Sequence, residues 1–270
     1  MLKLRIVTAC ILGCMLLAGL FLLSPDWTAF GFGIVLTAGA WEWAGFGGLT
    51  TRPARAVYAA GIAVLLALSW RWTANPSHLF ALLVLACLWW VAAFLWLVVA
   101  PAKHQPRLAL LCGIPVLVPA FVALGRLDRV SGEPMRGPAI VLWLVLLVIA
   151  ADIGAFFVGR SLGKHKLAPQ VSPGKTWEGA LGGLATVALV AWGGAEYFGL
   201  PAWQCIAFGC GVGIFSVIGD LTESMFKRSA GLKDSGVLLP GHGGILDRID
   251  SVTAAAPLYA LGLFGSGVIV

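Results

Sequence analysis

Residues 138–158 read PAIVLWLVLLVIAADIGAFFV, a run of 21 residues with a single ionisable side chain, Asp152. About 20 apolar residues, rising about 1.5 Å each along a helix, cross the hydrocarbon core of a bilayer. The stretch therefore predicts a membrane-spanning helix. Eight further apolar runs, at 6–23, 28–46, 56–70, 79–99, 108–125, 178–198, 202–219 and 252–270, repeat the pattern. The third is short and extends across Arg71, and 178–198 is joined to 202–219 by a tight Gly199-Leu200-Pro201 turn. Of the 270 residues, 60% are hydrophobic and 11% charged, and mean hydropathy is +0.94. A soluble domain carries about 45–50% apolar and about 25% charged residues. This composition excludes a soluble enzyme, a nucleic-acid-binding domain and a disordered chain. The spread of apolar runs along the chain excludes a single-pass anchor. The expected fold class is an all-α polytopic integral membrane protein with about nine transmembrane helices.

Lys and Arg placement orients these spans. With a cytoplasmic N-terminus, the inside segments 1–5, 47–55, 100–107, 159–177 and 220–251 hold 14 Lys/Arg, and the outside segments hold four, namely Arg71, Arg126, Arg129 and Arg136. Lys3 and Arg5 precede the first run, which is long for a signal-peptide core and has no small-residue cleavage site before Ser24-Pro25. It reads as a retained signal-anchor helix. The net charge of +6 belongs to residues 1–151, whereas residues 152–250 hold eight basic and eight acidic side chains. The basic excess is thus a matter of topology and contact with anionic lipid, and the balanced, clustered charges of the C-terminal part have the character of a site. Two regions follow: N-terminal helices over 1–137, for bundle, dimer and lipid contacts, and a catalytic region over 138–270 with cytoplasmic loops 159–177 and 220–251.

Glycine, at 35 residues, is about twice its ~7% average. Gly182-Gly183 and Gly209, Gly211 and Gly213 fit close helix packing, and no strand precedes them as a dinucleotide-binding motif requires. Most Trp residues fall near span ends, as interfacial anchors do. The six cysteines lie in apolar runs without accompanying histidine, which suits packing better than zinc. No internal repeat is visible, which argues against a transporter built from inverted repeats.

Charges at membrane depth are costly and usually functional. Glu42, Asp152, Glu178, Asp220, Glu223, Asp247 and Asp250 all fall toward the cytoplasmic ends of their helices, where they can converge on one polar cavity. Glu196 falls at the other end, as an interfacial residue. Asp220, Glu223, Ser224 and Lys227 are spaced i, i+3, i+4, i+7 and share a helix face if the eighth helix continues through them. Asp247 and Asp250 are likewise i, i+3. Two such carboxylate pairs suit Mg²⁺ with positions open to phosphate oxygens. The same spacing equally serves ion pairs with Lys227, Arg228, Lys233 and Arg248. Lys175, Lys227, Arg228, Lys233 and Arg248 supply the cations that a polyphosphate needs, whereas Arg160, Lys164 and Lys166 fit the positive-inside rule. Pro240-Gly241-His242-Gly243-Gly244 cannot be regular helix, and its N–H groups suit a close approach to phosphate. Ser172-Pro173-Gly174-Lys175-Thr176-Trp177-Glu178 is a second such element, in which Ser172 or Thr176 caps the seventh helix. It is not a Walker A loop.

Residues 224–250, SMFKRSAGLKDSGVLLPGHGGILDRID, resemble the signature of phosphatidate cytidylyltransferases, S-x-x-K-R-x4-K-D-x-G-x2-L-P-x-H-G-G-x-x-D-R-x-D. Ser224, Lys227, Arg228, Lys233, Asp234, Gly236, Leu239, Pro240, His242, Gly243, Gly244, Asp247, Arg248 and Asp250 occupy its fixed positions. The run from Asp152 through Ser172-Pro-Gly-Lys-Thr-Trp-Glu178 also resembles the family, and the specific likeness covers about 138–270. The resemblance implies the reaction CTP + phosphatidic acid → CDP-diacylglycerol + pyrophosphate. It also implies Mg²⁺ dependence, a cytoplasm-facing site within the membrane and a homodimer; the two carboxylate pairs suggest two cation sites, and the lack of a targeting peptide fits a bacterial inner membrane. On this reading Asp220, Asp247, Lys227, Arg228, Lys233, His242 and Arg248 are catalytic. Ser172, Lys175, Thr176, Asp152, Glu178, Ser224, Asp234, Gly243 and Gly244 bind substrate. Asp220, Glu223, Asp247 and Asp250 hold metal. The competing readings are a CTP-dependent polyprenol kinase of the same broad group and a transporter of anionic substrates. A CDP-alcohol phosphotransferase would need D-G-x-x-A-R, which the sequence lacks.

Overall fold

The structure is a computed structural model that describes residues 2–100, 105–131, 136–239, 241 and 243–265, with side chains from Ile6 onward. Among these residues the chain forms ten α-helices and one β-hairpin. In order they are α1 (Leu2–Leu22), α2 (Pro25–Phe46), α3 (Arg52–Trp72), α4 (Pro76–Val99), α5 (Pro106–Asp128), α6 (Arg136–Leu162), β1 (Lys166–Ala168), β2 (Ser172–Thr176), α7 (Trp177–Gly193), α8 (Ala195–Phe198), α9 (Ala202–Ser229) and α10 (Leu246–Gly265). Among the described residues, helix lies over each of the nine apolar runs, as two helices over 178–198 and as far as Gly265 in the last. Five helices among these residues, α3, α4, α5, α6 and α9, are long and apolar enough to cross a membrane. Many large apolar side chains on the outside of the bundle are exposed, including Phe156, Phe157, Leu181 and Leu189, as a lipid-facing surface requires.

Local chemistry sets the helix starts. Proline stands in the first turn of α2, α3, α4 and α5, where its missing N–H has no helical partner to lose. The Thr51 hydroxyl accepts from Ala54 N, and Asn75 Oδ1 accepts from Ser77 N, which caps α3 and α4. The centre of the bundle is α5, buried along most of its length despite Pro115 and Pro119. α10 packs against α9, α5 and α4.

The hairpin departs from the all-α expectation. Its strands are antiparallel, with Lys166 opposite Thr176 and Ala168 opposite Ser172, and it fills the expected loop 159–177. The single helix expected over 178–198 is broken. α7 stops at Gly193, and a Cβ on Gly194 would lie 2.3 Å from the Trp143 ring, so the ring packs directly on the break. The turn expected at 199–201 is present, with Gly199 at φ 64°. α9 runs on to Ser229, ten residues past the expected end of its span. Trp43 and Trp90 depart from the interfacial expectation, being 1% exposed in the core. Trp43 Nε1 finds its partner in the Ala109 carbonyl, 2.7 Å away.

Small residues close the seam between α6 and α7. A Cβ on Gly182 would meet Val158 at 2.4 Å, and one on Gly183 would meet the Ala151 carbonyl oxygen at 2.7 Å. The packing role expected of these glycines is present, as it is at Gly209 against Ala191. Gly183→Ala should lower stability by about 1–3 kcal/mol through overpacking. Gly61→Ala, where nothing lies within 4 Å, should be neutral or slightly stabilising. Thermal unfolding of the two purified variants checks this.

Candidate functional site

Four elements bring charged side chains to one end of the bundle: the end of α6, β2, the end of α9 and the start of α10. α9 is continuous through Asp220, Glu223, Ser224 and Lys227, so the shared face expected from their spacing exists. Ser224 Oγ donates to Asp220 Oδ1 at 3.3 Å. A Cβ on Gly219 would stand 2.5 Å from the Asp250 carbonyl oxygen, so α9 and α10 touch backbone to backbone beside Asp220. This contact holds the two carboxylate pairs together.

Lysines then distribute the charge. Lys227 is 8% exposed. It donates to Asp247 Oδ1 at 2.6 Å and stands 3.2 Å from Glu223 Oε1. Lys175, carried by β2, pairs with Asp220 Oδ2 at 2.7 Å. Asp152 interacts electrostatically with Asp220, Lys175 and Arg248, and Glu223 with Asp250, Lys227 and Asp247. Asp152, Asp220, Glu223, Asp247 and Asp250 therefore form one field. Arg228 and Lys233 are exposed at the end of α9 and just beyond it, and among the described residues neither pairs with a carboxylate. Asp234 is also exposed.

The loop between α9 and α10 is fastened by Asp247. Its Oδ2 accepts from Ser235 N at 3.0 Å, Ser235 Oγ at 3.0 Å and Gly244 N at 2.9 Å. Leu239 N donates to the Gly243 carbonyl at 2.9 Å, which closes a tight turn. Gly241 and Gly243, at φ 77° and 81°, are glycines because a side chain disfavours the left-handed region. Pro240 and His242 lie outside the described residues, so the role expected of His242 has no geometry here.

The hairpin divides its residues differently from expectation. Thr176 Oγ1 accepts from Gly179 N at 3.1 Å, which is the expected cap of α7. Glu178 turns away from the cluster. Its carboxylate accepts from Lys164 N at 3.1 Å and His165 N at 3.2 Å, and His165 Nδ1 lies 2.6 Å from its Oε1. Ser172 is half-buried at the start of β2. Ser235 is not singled out by the sequence, and Glu42, expected there to converge with the other carboxylates, is given no binding, catalytic or metal role by it. Ser235 is the serine between Asp234 and Gly236, and Glu42 on α2 accepts from Ser235 Oγ at 3.0 Å and Leu246 N at 2.9 Å. The signal for Glu42 was its charge within an apolar run.

Among the described residues no three carboxylate, imidazole or thiol groups converge as a metal-holding set, and Lys175 and Lys227 stand among the carboxylates. The donor chemistry nevertheless suits a hard cation. Glu223 Oε1 already faces the Lys227 ammonium, whereas Oε2 is buried without a hydrogen-bond partner among the described residues, and a cation would satisfy it.

The cytidylyltransferase family model matches residues 3–264. The phosphatidate cytidylyltransferase of Pseudomonas aeruginosa is 42% identical over 276 residues, covering 99% of this chain and 98% of its own. That of Haemophilus influenzae is 39% identical over 287 residues, covering 96% of this chain and 98% of its own. That of Synechocystis is 53% identical over 111 residues, covering 40% of this chain and 38% of its own.

Removing Lys227 would leave Asp247 and Glu223 facing each other without their shared cation. Lys227→Met should cost about 3–5 kcal/mol of stability. Adding Glu223→Gln should restore part of it. Denaturant unfolding of the single and double variants checks both outcomes.

Proposed function

The chain belongs to the cytidylyltransferase family, and from that premise we propose that it converts CTP and phosphatidic acid to CDP-diacylglycerol and pyrophosphate. The observation that carries the reading is the Ser224–Asp250 stretch. It matches the phosphatidate cytidylyltransferase pattern in sequence, and its Lys227 and Asp247 belong to a cluster that Lys175, Asp220 and Glu223 complete, beside the exposed Arg228 and Lys233.

A phosphate oxygen of phosphatidate attacks the α-phosphorus of CTP, and a new P–O bond forms. The bond from the α-phosphorus to the bridging oxygen breaks, and its electron pair leaves with pyrophosphate. The attacking oxygen is already ionised, so no general base is required, and no covalent enzyme intermediate is needed. The difficulty is bringing two anions together, since a triphosphate alone carries about four negative charges. Arg228, Lys233 and Arg248 bind phosphate oxygens and offset that repulsion. Lys175 and Lys227 hold Asp220 and Asp247 in place and face the same anions. The N–H groups around Gly243 and Gly244, with Ser172, Thr176, Ser224 and Asp234, complete the substrate contacts, and Asp152 and Glu178 border them. His242 orients a phosphate or the loop. Asp220, Glu223, Asp247 and Asp250 would hold Mg²⁺ at two cation sites, and bound there it would neutralise charge on the triphosphate and the departing pyrophosphate.

In this reading the chain spans the bacterial inner membrane about nine times with its N-terminus in the cytoplasm, and the cluster faces the cytoplasm. Residues 138–270 form the catalytic region, and residues 1–137 supply bundle, lipid and homodimer contacts. Phosphatidate stays in the cytoplasmic leaflet and CTP arrives from water, so a site at their boundary lets each enter from its own phase.

Membranes containing the chain, given Mg²⁺, CTP and phosphatidic acid or polyprenol, test the reaction. Label from the α-phosphorus should appear in the lipid derived from phosphatidic acid, with release of pyrophosphate, and chelation should abolish it. Label from the γ-phosphorus in lipid would identify a kinase instead. Asp220→Asn and Asp247→Asn should each lower turnover at least about 100-fold, the scale of losing one group that stabilises developing charge.

A further inference from the structure

Glu42 belongs to α2, far in sequence from the charged cluster, and is 1% exposed. Its partners are 193 and 204 positions away in sequence. One oxygen, Oε2, accepts from the Ser235 hydroxyl at 3.0 Å and from Leu246 N at 2.9 Å. Leu246 is the first residue of α10, so its N–H has no partner within the helix. A carboxylate at that position also meets the positive end of the helix dipole.

The loop backbone is moulded around this carboxylate. A Cβ on Gly236 would lie 2.3 Å from Glu42 Oε1, and one on Gly244 would lie 2.4 Å from Oε2. Neither glycine has a positive φ, so side chains, and not backbone strain, require their smallness: Glu42 alone at Gly236, and Ser235 Oγ together with Glu42 at Gly244. The Ser235 hydroxyl sits 3.0 Å from Glu42 Oε2 and 3.0 Å from Asp247 Oδ2 and shares its single hydrogen between them, while Ser235 N donates to Asp247 Oδ2. The route from α2 to the cluster is therefore continuous: Glu42 to Ser235, Ser235 to Asp247, and Asp247 to Lys227.

We propose that Glu42 is a positioning residue for the α9–α10 loop, setting through Ser235 and the first N–H of α10 where Asp247 and the glycine-rich turn stand. It touches neither substrate nor reacting atoms. It makes the N-terminal half a working part of the site. The kinetic consequence rests on the cytidylyl-transfer reading, whereas the mechanical consequence does not.

The test uses the full-length chain in detergent, with Glu42→Gln, Glu42→Ala, Ser235→Ala and the Glu42→Ala/Ser235→Ala double variant. Amide hydrogen exchange across 230–246 should rise at least about tenfold in Glu42→Ala, while exchange in α3 and α4 stays unchanged. For folded protein, kcat should fall about 100-fold, as misplacement by an ångström can cause, with KM for CTP changing less than about threefold. Glu42→Gln, whose amide oxygen can accept the same two bonds, should keep kcat within about fivefold of the parent. Ser235→Ala should cost less in the Glu42→Ala background than in the parent, because the two act along one route. Unchanged exchange across the loop in Glu42→Ala, an unchanged kcat per folded molecule, or additive effects of the two substitutions would overturn the proposal. If Glu42→Ala does not fold, Ser235→Ala cuts the same route, and unchanged loop exchange in that variant would overturn it equally. A parent chain that folds but makes no CDP-diacylglycerol would overturn the proposed function, and the exchange measurement would still decide the role of Glu42.

Discussion

Lys227 is the cation on which the charged end of the bundle depends. It stands between Asp247 of α10 and Glu223 of its own helix, at a depth where an unpaired charge is very costly. The pairing neutralises charge where it lies and also fastens the end of α9 to the start of α10. Each further element joins through a group already committed to this arrangement. Lys175 brings the hairpin to Asp220. The free side of Asp247 brings in the loop through Ser235 and Gly244. A field assembled in this way has little slack, because movement of Asp220, Glu223 or Asp247 leaves a cation or an N–H without its partner.

Packing of small residues makes that assembly possible. The α6–α7 seam lets backbone approach backbone at Gly154, Gly182 and Gly183, and this fixes the direction in which the hairpin leaves α6 and returns as α7. Glu178 and His165 then secure the hairpin base, while Lys175 is left to reach across to α9. The carboxylate of the Trp177-Glu178 pair thus serves the architecture of the hairpin, and the lysine three residues earlier serves the cluster. For the proposed reaction, this division matters because an approaching triphosphate needs cations held in fixed positions.

The N-terminal half does more than enlarge the apolar surface. Trp43 and Trp96 pack on Phe226, with ring centroids 5.2 and 5.6 Å away, so α2 and α4 grip α9 one residue before Lys227. Trp43 and Tyr58 in turn donate to the Ala109 and Leu110 carbonyls of α5. Glu42 adds a polar contact from the same face of the chain. Aromatic packing and a buried carboxylate together tie the first helices to the loop that carries the charges.

The sequence by itself determined the helical membrane architecture, because twenty-residue apolar runs have no other economical way to satisfy their backbone in lipid. It also determined the shared face of Asp220, Glu223, Ser224 and Lys227, since helical periodicity is a local property, and it carried the family pattern over 224–250. The hairpin at 166–176 was not legible, because a three-residue strand and a five-residue strand leave no periodic signal. The break at Gly194 was hidden for a different reason, since it depends on Trp143 packing there from another helix. Tertiary structure alone decided which carboxylate meets which lysine, why Glu178 faces the hairpin, and why Gly236 and Gly244 must be small. Those outcomes are set by contacts between residues that the chain keeps far apart, up to 204 positions between Glu42 and Leu246, and such distances are fixed only when the helices pack.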